Sequence, residues 1–312
     1  MLNIRRFVKG TDEPLWVEVL NAARKEREDW RAITVEELLA DSGRPSFDFQ
    51  GRFIGERDGK AVGVVHAKVD DLSKDRKGFA HFDVIPEFRG CEIETALIET
   101  ALRELKARGM TIAQTWAYAS EGERIELLKS LHFRHVRVFS VMEMELAVLS
   151  QNIGENTQVV IRPLCKEIED DIELFNWLSN QNYKEDLDYS PVSLGETRHF
   201  LFCDPYLQEK EILFAVLNGE SVGCVGVGID RKHNMEKGVQ AGEVFTVGVL
   251  KEHRREGIGT RLMLDGLERL KARGMAKAVL GVENDNVTQA KRFYEKLGFS
   301  VKKREIILER DV

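Results

Sequence analysis

The segment VLKEHRREGIGTRL (249–262) decides the fold of this chain. It begins within the apolar run EVFTVGVL (243–250), crosses a charged loop and continues into residues with apolar positions at helical spacing. A strand, a glycine-bearing loop and a helix in this order leave successive backbone N–H groups unpaired at the positive end of the helix dipole. The pattern predicts a mixed α/β fold that presents an anion-binding loop.

Two glycines support this interpretation of the loop. A Cβ atom at Gly257 or Gly259 would hinder the close approach of a phosphate to the backbone and restrict the dihedral angles of the turn. A Gly-x-Gly turn before a helix also occurs in ordinary loops. The loop alone therefore predicts only an anion site, and neighbouring residues have to identify the ligand.

The chain contains an internal duplication. The hexapeptide LKARGM occurs at 105–110 and again at 270–275, and VIPEFRGCEIETAL (84–97) aligns with the deciding segment. Between the copies, SQNIGENTQ (150–158) is polar and has no apolar period, which is typical of a linker. We therefore expect a boundary near residue 154.

The predicted division is a domain at 1–150 and a second domain at 158–312, which share one fold. In the second copy we expect strands and helices in mixed α/β order, with a loop insertion at 232–242 in which Gly238 and Gly242 mark a turn. The predicted elements are a strand at 159–163, a helix at 169–180, a hairpin at 211–230, a central strand at 243–250, a helix at 260–273, a strand at 276–282, a helix at 288–297 and a strand at 300–308.

Composition excludes several classes of protein. The formal charge is −7 with acidic and basic residues interspersed, so a nucleic acid is not expected as partner. No apolar stretch is long enough for a membrane span or a signal peptide, and a cytoplasmic location is the default expectation. The cysteines and histidines show no metal-type spacing, and no metal is predicted; they are Cys91, Cys165, Cys203, Cys224, His66, His81, His132, His135, His199, His233 and His253.

The pattern V-x-x-x-x-R-x-x-G-x-G-T, from Val249 to Thr260, resembles the acetyl-CoA loop of the GNAT superfamily of N-acetyltransferases. The stretch NDNVTQAKRFYEKLGF (284–299) resembles the second signature of that family, a helix that carries a tyrosine and ends at Gly-Phe. One position departs from the pattern, because Asn286 lies four residues before Ala290 where the family has three. The tandem layout is similar to that of the mycothiol synthases, a likeness that does not extend to the substrate.

The resemblance implies acetyl-CoA as co-substrate, with its phosphates on the loop amides and its pantetheine arm paired with the backbone of the preceding strand. A backbone N–H near Val247 should polarise the thioester carbonyl. The implied cofactor-binding residues are Val247, Gly248, Val249, Arg254, Arg255, Glu256, Gly257, Ile258, Gly259, Thr260 and Asn286.

Acetyl transfer to an amine requires a base for the ammonium and an acid for the leaving thiolate. By the resemblance, Tyr294 is the general acid and Glu243 is the base, acting through a water molecule. The alternatives are a core tyrosine and a solvated carboxylate at the start of a strand. Asp186 and Asp188, with Tyr183 and Tyr189 as walls, either line the acceptor groove or belong to a solvated loop.

The first copy lacks these groups. Glu92 and Glu94 stand where the second copy has its loop glycines, and two carboxylates oppose a pyrophosphate by size and by charge. Leu128 aligns with the acid and Gly78 with the base. We therefore expect residues 1–150 to form a catalytically inert domain that supports the active one and shapes its acceptor cleft.

The sequence thus predicts an N-acetyltransferase with two tandem GNAT-like domains, each with a central mixed β-sheet flanked by helices. The acceptor is a primary amine of a small molecule or of a peptide, and no membrane partner is expected. Alternatives are a protein N-terminal or lysine acetyltransferase, an enzyme that modifies amino sugars or antibiotics, and a non-catalytic acyl-CoA sensor or scaffold. The sequence leaves the oligomeric state open.

Overall fold

A computed structural model describes residues 1–70, 72, 75–90, 92–149, 158–186, 189–284 and 288–312. The strands are β1 (Leu2–Arg6), β2 (Arg52–Arg57), β3 (Lys60–Val69), β4 (Lys77–Val84), β5 (Ile112–Tyr118), β6 (Arg134–Glu145), β7 (Val160–Pro163), β8 (Glu209–Leu217), β9 (Glu220–Ile229), β10 (Ala241–Val249), β11 (Lys277–Glu283) and β12 (Ser300–Asp311). The helices are α1 (Glu13–Arg24), α2 (Val35–Asp41), α3 (Ile93–Ala107), α4 (Gly122–Ser130), α5 (Glu169–Tyr183), α6 (Leu194–Phe202), α7 (Arg231–Lys237), α8 (Ile258–Ala272) and α9 (Ala290–Leu297).

The chain forms two compact units that exchange their last strands. The first unit comprises Met1–Val138 and Glu305–Val312, and the second comprises Phe139–Arg304. The C-terminal strand β12 pairs antiparallel with β5, while β6 pairs antiparallel with β11. Strand β12 thus follows the predicted linker but pairs within the first unit, and β6 precedes the linker but pairs within the second. A single boundary near residue 154 does not describe this exchange.

The second unit has the strand order β6-β11-β10-β9-β8-β7. Helix α8 packs on one face of this sheet through buried Leu262, Met263 and Leu267. Helices α5 and α6 pack on the other face, where Phe175 and Leu178 belong to a separate apolar cluster. Because helices cover both faces, the side chains that alternate along each strand are buried on both sides of the sheet.

The first unit has the matching order β12-β5-β4-β3-β2-β1, with α3 in the place of α8. Both units place a parallel pair of strands at the same point, β4 with β5 and β10 with β11. Every other strand pair described above within a unit is antiparallel. The prediction of two repeats of one mixed α/β fold is confirmed.

The hairpin between β8 and β9 is also confirmed. Its turn residues Asn218 and Gly219 have φ angles of 52° and 87°, as a two-residue type I′ turn requires. The predicted loop at 232–242 is wrong, because Arg231–Lys237 form helix α7. The Asp230 side chain caps its start, since it accepts from the His233 N–H, and Gly238 ends it in the left-handed region.

Gly242 does not mark a turn and lies inside β10. A Cβ atom there would come within 2.5 Å of Leu270 on α8, so the glycine lets strand and helix approach closely. Helix α6 was absent from the predicted elements. No helix in the described residues is long and apolar enough to cross a membrane.

Candidate active site

The centre of the site is a gap between β10 and β11. These strands pair in parallel only from Ala241 to Glu243 on β10 and from Lys277 to Val279 on β11. The pairing of β10 with β9 shifts register between Val244 and Thr246, so Phe245 is an extra residue in a β-bulge. Beyond the bulge, the edge of β10 that faces β11 has no described partner strand. The predicted residues Val247, Gly248 and Val249 all lie on this edge.

The loop after β10 has the backbone conformation of an anion-binding nest. Arg255 and Gly257 have φ angles of 70° and 80°, both in the left-handed region, and α8 begins at Ile258. In the described part of the chain, no group accepts a hydrogen bond from the backbone amides between Arg255 and Thr260. The loop therefore presents a row of free donors at the positive end of α8.

Gly259 occupies a site with room for a side chain. A Cβ atom there would lie 3.7 Å from Val249 Cγ2 and 3.8 Å from Phe293 Cζ, which is ordinary van der Waals contact. The folded chain itself therefore does not require glycine at this position. Gly257 differs, because its positive φ angle favours glycine whatever binds.

The side chain of Arg254 is used within the protein. Its Nε donates to the Val249 carbonyl at 3.0 Å, and its Nη1 donates to Glu185 at 2.9 Å. In the first unit, Arg89 donates to the carbonyl of Val84 at 3.1 Å in the same way. The shared arginine side chain thus fastens the loop to the end of the preceding strand, and the free backbone amides from Arg255 to Thr260 remain for a ligand.

Tyr294 lies on α9 and is 8% exposed. Its ring contacts Phe293 and Phe299, with centroid separations of 5.3 and 6.0 Å. Burial raises the pKa of the Tyr294 phenol, and the neighbouring Tyr183 raises it further. No described residue hydrogen-bonds the Tyr294 hydroxyl, so this group is free to serve a ligand.

Tyr183, which the sequence placed in the wall of a groove, is the last residue of α5 and lies at the gap itself. Its hydroxyl is 2.9 Å from Thr246 Oγ1. Burial raises the pKa of Tyr183, and hydrogen bonds with Thr246 and with the Val247 backbone oppose that shift. The one sequence signal was its position next to the buried stripe of α5, which continues through Phe175, Leu178 and Asn182.

Glu243 lies at the other end of β10. Glu243 is solvent-exposed as a whole residue, although neighbouring protein atoms surround much of its carboxylate. Partial burial by surrounding atoms raises the pKa of Glu243, and the carboxylates of Asp204 and Asp230 raise it further. Val247 lies four positions further along the chain, which is about 13 Å along a strand. The structure therefore does not bring Glu243 into contact with the tyrosines.

Of the other predicted groove residues, the structure describes Asp186 and Tyr189. The Tyr189 N–H donates to the Asp186 carbonyl at 3.2 Å. The Tyr189 hydroxyl donates to Asn180 on α5. Asp188 and Asn286 lie outside the described residues.

The matching cleft of the first unit contains its own side chains. Gly90 and Glu92 have φ angles of 71° and 65°, so the loop keeps the conformation of the second unit. The Glu94 carboxylate accepts from the Gly90 N–H at 3.1 Å, where the second unit has a free amide. An anion from the chain itself thus binds the first loop.

Arg124 on α4 fills the gap between the diverging strands of the first unit. Its guanidinium donates to the Phe82 carbonyl of β4 at 3.1 Å and to the Trp116 carbonyl of β5 at 3.3 Å. Leu128, the counterpart of the predicted acid, is fully buried. The first cleft therefore offers neither a free edge nor an acid.

The sequence alignment at the base position is wrong by one residue. Gly78 pairs with Ala113 and abuts Leu105, which makes it the counterpart of Gly242. Phe79, one residue later, is the counterpart of Glu243. The shift arises because β10 contains a bulge and β4 does not. A carboxylate is absent from the position in the first unit either way.

The chain belongs to the acetyltransferase (GNAT) family, whose model matches residues 16–133 and 172–299. It is therefore an acyltransferase of the tandem GNAT type. Members of this family use acetyl-CoA. In the part of the chain that the structure describes, no group of three or more His, Cys, Asp or Glu side chains could hold a metal ion.

Among known proteins, the chain is similar to a mycothiol acetyltransferase of Corynebacterium glutamicum (strain R), with 28% identity over 73% of each chain. It is 25% identical to a mycothiol acetyltransferase of Saccharomonospora viridis, over 94% of this chain and 97% of the relative. Its fold matches that of a tandem GNAT protein from the clavulanic acid biosynthesis pathway, with a TM-score of 0.77 and 14% identity over 100% and 98% of the two chains.

Proposed function

We propose that the second unit binds acetyl-CoA and catalyses direct transfer of its acetyl group to a primary amine of a small molecule. One observation carries the proposal: the free amides from Arg255 to Thr260 open beside the unpaired edge of β10, and Tyr294 stands next to that edge. These features combine an anion site, a backbone edge and a proton donor in one unit.

The residues present fit acetyl-CoA. The pyrophosphate would lie on the loop amides, and the space over Gly259 lets it come close to the backbone. The pantetheine arm would pair with Val247, Gly248 and Val249, whose edge has no described partner strand. Arg254 contributes by holding the loop in place. The co-substrate supplies the activated acetyl group as a thioester.

The chain would assist both changes of charge in the reaction. As the amine nitrogen bonds to the carbonyl carbon, negative charge develops on the carbonyl oxygen, and the Val247 N–H stabilises it. When the carbon–sulfur bond breaks, the Tyr294 hydroxyl would give its proton to the thiolate, and the phenolate would regain a proton from the amine nitrogen as the amide forms. The raised pKa keeps the Tyr294 phenol protonated until the thiolate forms.

Glu243 would remove the proton from the attacking ammonium. Its distance along β10 requires that water carries this proton. Its raised pKa brings it nearer to neutral pH than an ordinary glutamate, which favours a general base. The carboxylates of Asp204 and Asp230 would add an attraction for a cationic acceptor.

The first unit would bind no acetyl-CoA. Glu94 already satisfies the loop amide of Gly90, and Arg124 bridges the two strands that would have to receive the pantetheine arm. A ligand would have to displace both side chains and meet the Glu92 charge. We therefore propose one acetyl-CoA per chain and a supporting role for the first unit.

The test is a titration with acetyl-CoA followed by thiol release with a panel of amines. The panel starts with the unacetylated form of mycothiol, since two relatives are named for mycothiol acetylation, and includes amino sugars, lysine peptides and peptide N-termini. We expect one acetyl-CoA per chain and turnover with a small amine, reduced by about 10²-fold or more in Tyr294→Phe.

Other outcomes would redirect the proposal. Turnover confined to peptides would identify a protein acetyltransferase. Tight binding without thiol release for any amine would indicate a sensor. Two acetyl-CoA molecules per chain would contradict the supporting role of the first unit.

A further inference from the structure

The Tyr183 hydroxyl occupies the part of β10 where the thioester carbonyl is expected. It lies 2.9 Å from Thr246 Oγ1 and interacts with the backbone of Val247, the residue whose N–H faces the proposed carbonyl site. A phenol oxygen and a carbonyl oxygen are both acceptors for this amide. The position of Tyr183 therefore marks where a ligand oxygen would bind.

Three contacts fix the end of α5 at this place. The carboxamide of Asn182 packs directly on Gly248, where an added Cβ atom would come within 2.2 Å of Nδ2. Tyr183 contacts Thr246, and Glu185 accepts from Arg254 and from Lys251. The segment is thus attached to β10 and to the loop that follows it. Such support holds a side chain in a productive geometry.

Tyr183 and Tyr294 approach the gap from different elements. Tyr183 ends α5, which packs on one face of the sheet together with α6. Tyr294 belongs to the apolar cluster on the face that α8 covers. Both phenols lie at β10, since the Tyr183 hydroxyl contacts Thr246 and Tyr294 belongs to the cluster against which Val247 and Val249 pack. A thioester has two atoms that gain charge during transfer, the carbonyl oxygen and the sulfur, and two separate donors match them.

We propose that the Tyr183 O–H is a second hydrogen-bond donor to the thioester carbonyl oxygen, next to the Val247 N–H. The inference rests on the proposed function and assigns a catalytic residue to it. When acetyl-CoA enters, its carbonyl oxygen takes the Val247 amide, and the Tyr183 hydroxyl turns its proton to the same oxygen. Thr246 then donates to the Tyr183 oxygen, which directs the phenol proton toward the ligand.

Tyr183 keeps its proton throughout this reaction. The nitrogen–carbon bond forms, the carbon–sulfur bond breaks, and the proton that reaches sulfur comes from Tyr294. Burial raises the pKa of Tyr183, so the phenol remains a donor over the working pH range. The loss of one such donor costs about 10²–10³-fold in kcat in other oxyanion sites.

The experiment measures the carbonyl stretch of acetyl-CoA labelled with ¹³C at the acetyl carbonyl, bound to the full chain. A hydrogen bond to the carbonyl lowers this frequency, so we expect the band of Tyr183→Phe to lie higher than that of the wild type. CoA has no acetyl carbonyl for Tyr183 to contact, so its affinity in this variant should stay within about twofold of the wild type. With the best acceptor, kcat should fall about 10²-fold or more.

Two further variants keep the result interpretable. Tyr118→Phe removes a phenol hydroxyl that donates to Asp29 in the first unit, and it should leave the band unchanged. Thr246→Val retains Tyr183 but removes the hydroxyl that directs it, so the band should move in the same direction by a smaller amount. If Tyr183→Phe does not fold, an unchanged band in Thr246→Val overturns the inference.

The failures of the two proposals differ. Wild-type protein that binds no acetyl-CoA would overturn the proposed function and the inference with it. Wild-type protein that binds acetyl-CoA, with the same band in Tyr183→Phe as in the wild type, would overturn the role of Tyr183 alone.

Discussion

Gly259→Ala separates a requirement of the ligand from a requirement of the fold. The added Cβ atom would lie 3.7 Å from Val249 and 3.8 Å from Phe293, so it meets no clash in the free protein. The residue is the second of α8, where alanine is favoured over glycine by up to about 1 kcal/mol. The free energy of unfolding should therefore stay the same or rise slightly.

Acetyl-CoA binding should weaken in the same variant. The methyl group stands over the loop amides, and a displaced phosphate loses at least one charge-assisted hydrogen bond, worth about 1.5–3 kcal/mol. Because 1.4 kcal/mol is a factor of ten, Kd should rise about 10- to 100-fold. Isothermal titration with acetyl-CoA measures this change, and thermal unfolding of the free protein measures stability.

Gly122→Ala is the matched control. Gly122 is the first residue of α4 in the first unit, and an added Cβ atom would have nothing within 4 Å. It should alter neither the affinity nor the melting temperature by much. An affinity of Gly259→Ala within twofold of the wild type, at unchanged stability, would refute the placement of the phosphates on this loop.

Two further predictions concern charged groups. Because surrounding protein atoms and then Asp204 and Asp230 raise the pKa of Glu243, the acid limb of kcat/KM should lie above the ordinary glutamate value of about 4.3, and activity should fall as pH drops through it. Glu243→Gln should lower the plateau and abolish that limb, and a retained limb would assign the base elsewhere. Asp83→Asn should destabilise the first unit by about 3–5 kcal/mol, since Asp83 is 5% exposed and its Oδ2 accepts from Arg24 Nη2 at 2.6 Å. Burial raises the pKa of Asp83, but Arg24, Arg124 and Arg27 together lower it more, so this stabilisation is present above the unfolded value of about 3.9 and is lost as pH falls through the lower folded value. Thermal unfolding from pH 3 to 8 measures both effects, and equal midpoints for wild type and variant at pH 7 would contradict them.

Local patterns were sufficient for the repeat, the type of fold and the loop. The order of a strand, a Gly-x-Gly loop and a helix depends on residues close in sequence, and the second copy of LKARGM supplied an internal comparison. The left-handed angles at Arg255 and Gly257, and at Gly90 and Glu92, agree with that comparison. The helix at 231–237 escaped prediction because a seven-residue segment is too short to show a clear period.

The sequence by itself determined that two copies of one mixed α/β fold are joined, and it predicted that only the second keeps a loop suited to a phosphate. These properties follow from local spacing and from the charges of Glu92 and Glu94. Only the tertiary structure showed that Glu94 and Arg124 fill the first cleft, that a bulge at Phe245 shifts β10 by one residue, and that Tyr183 reaches the proposed carbonyl site. Each of those facts joins residues that are distant in sequence or depends on strand register, which no local pattern specifies.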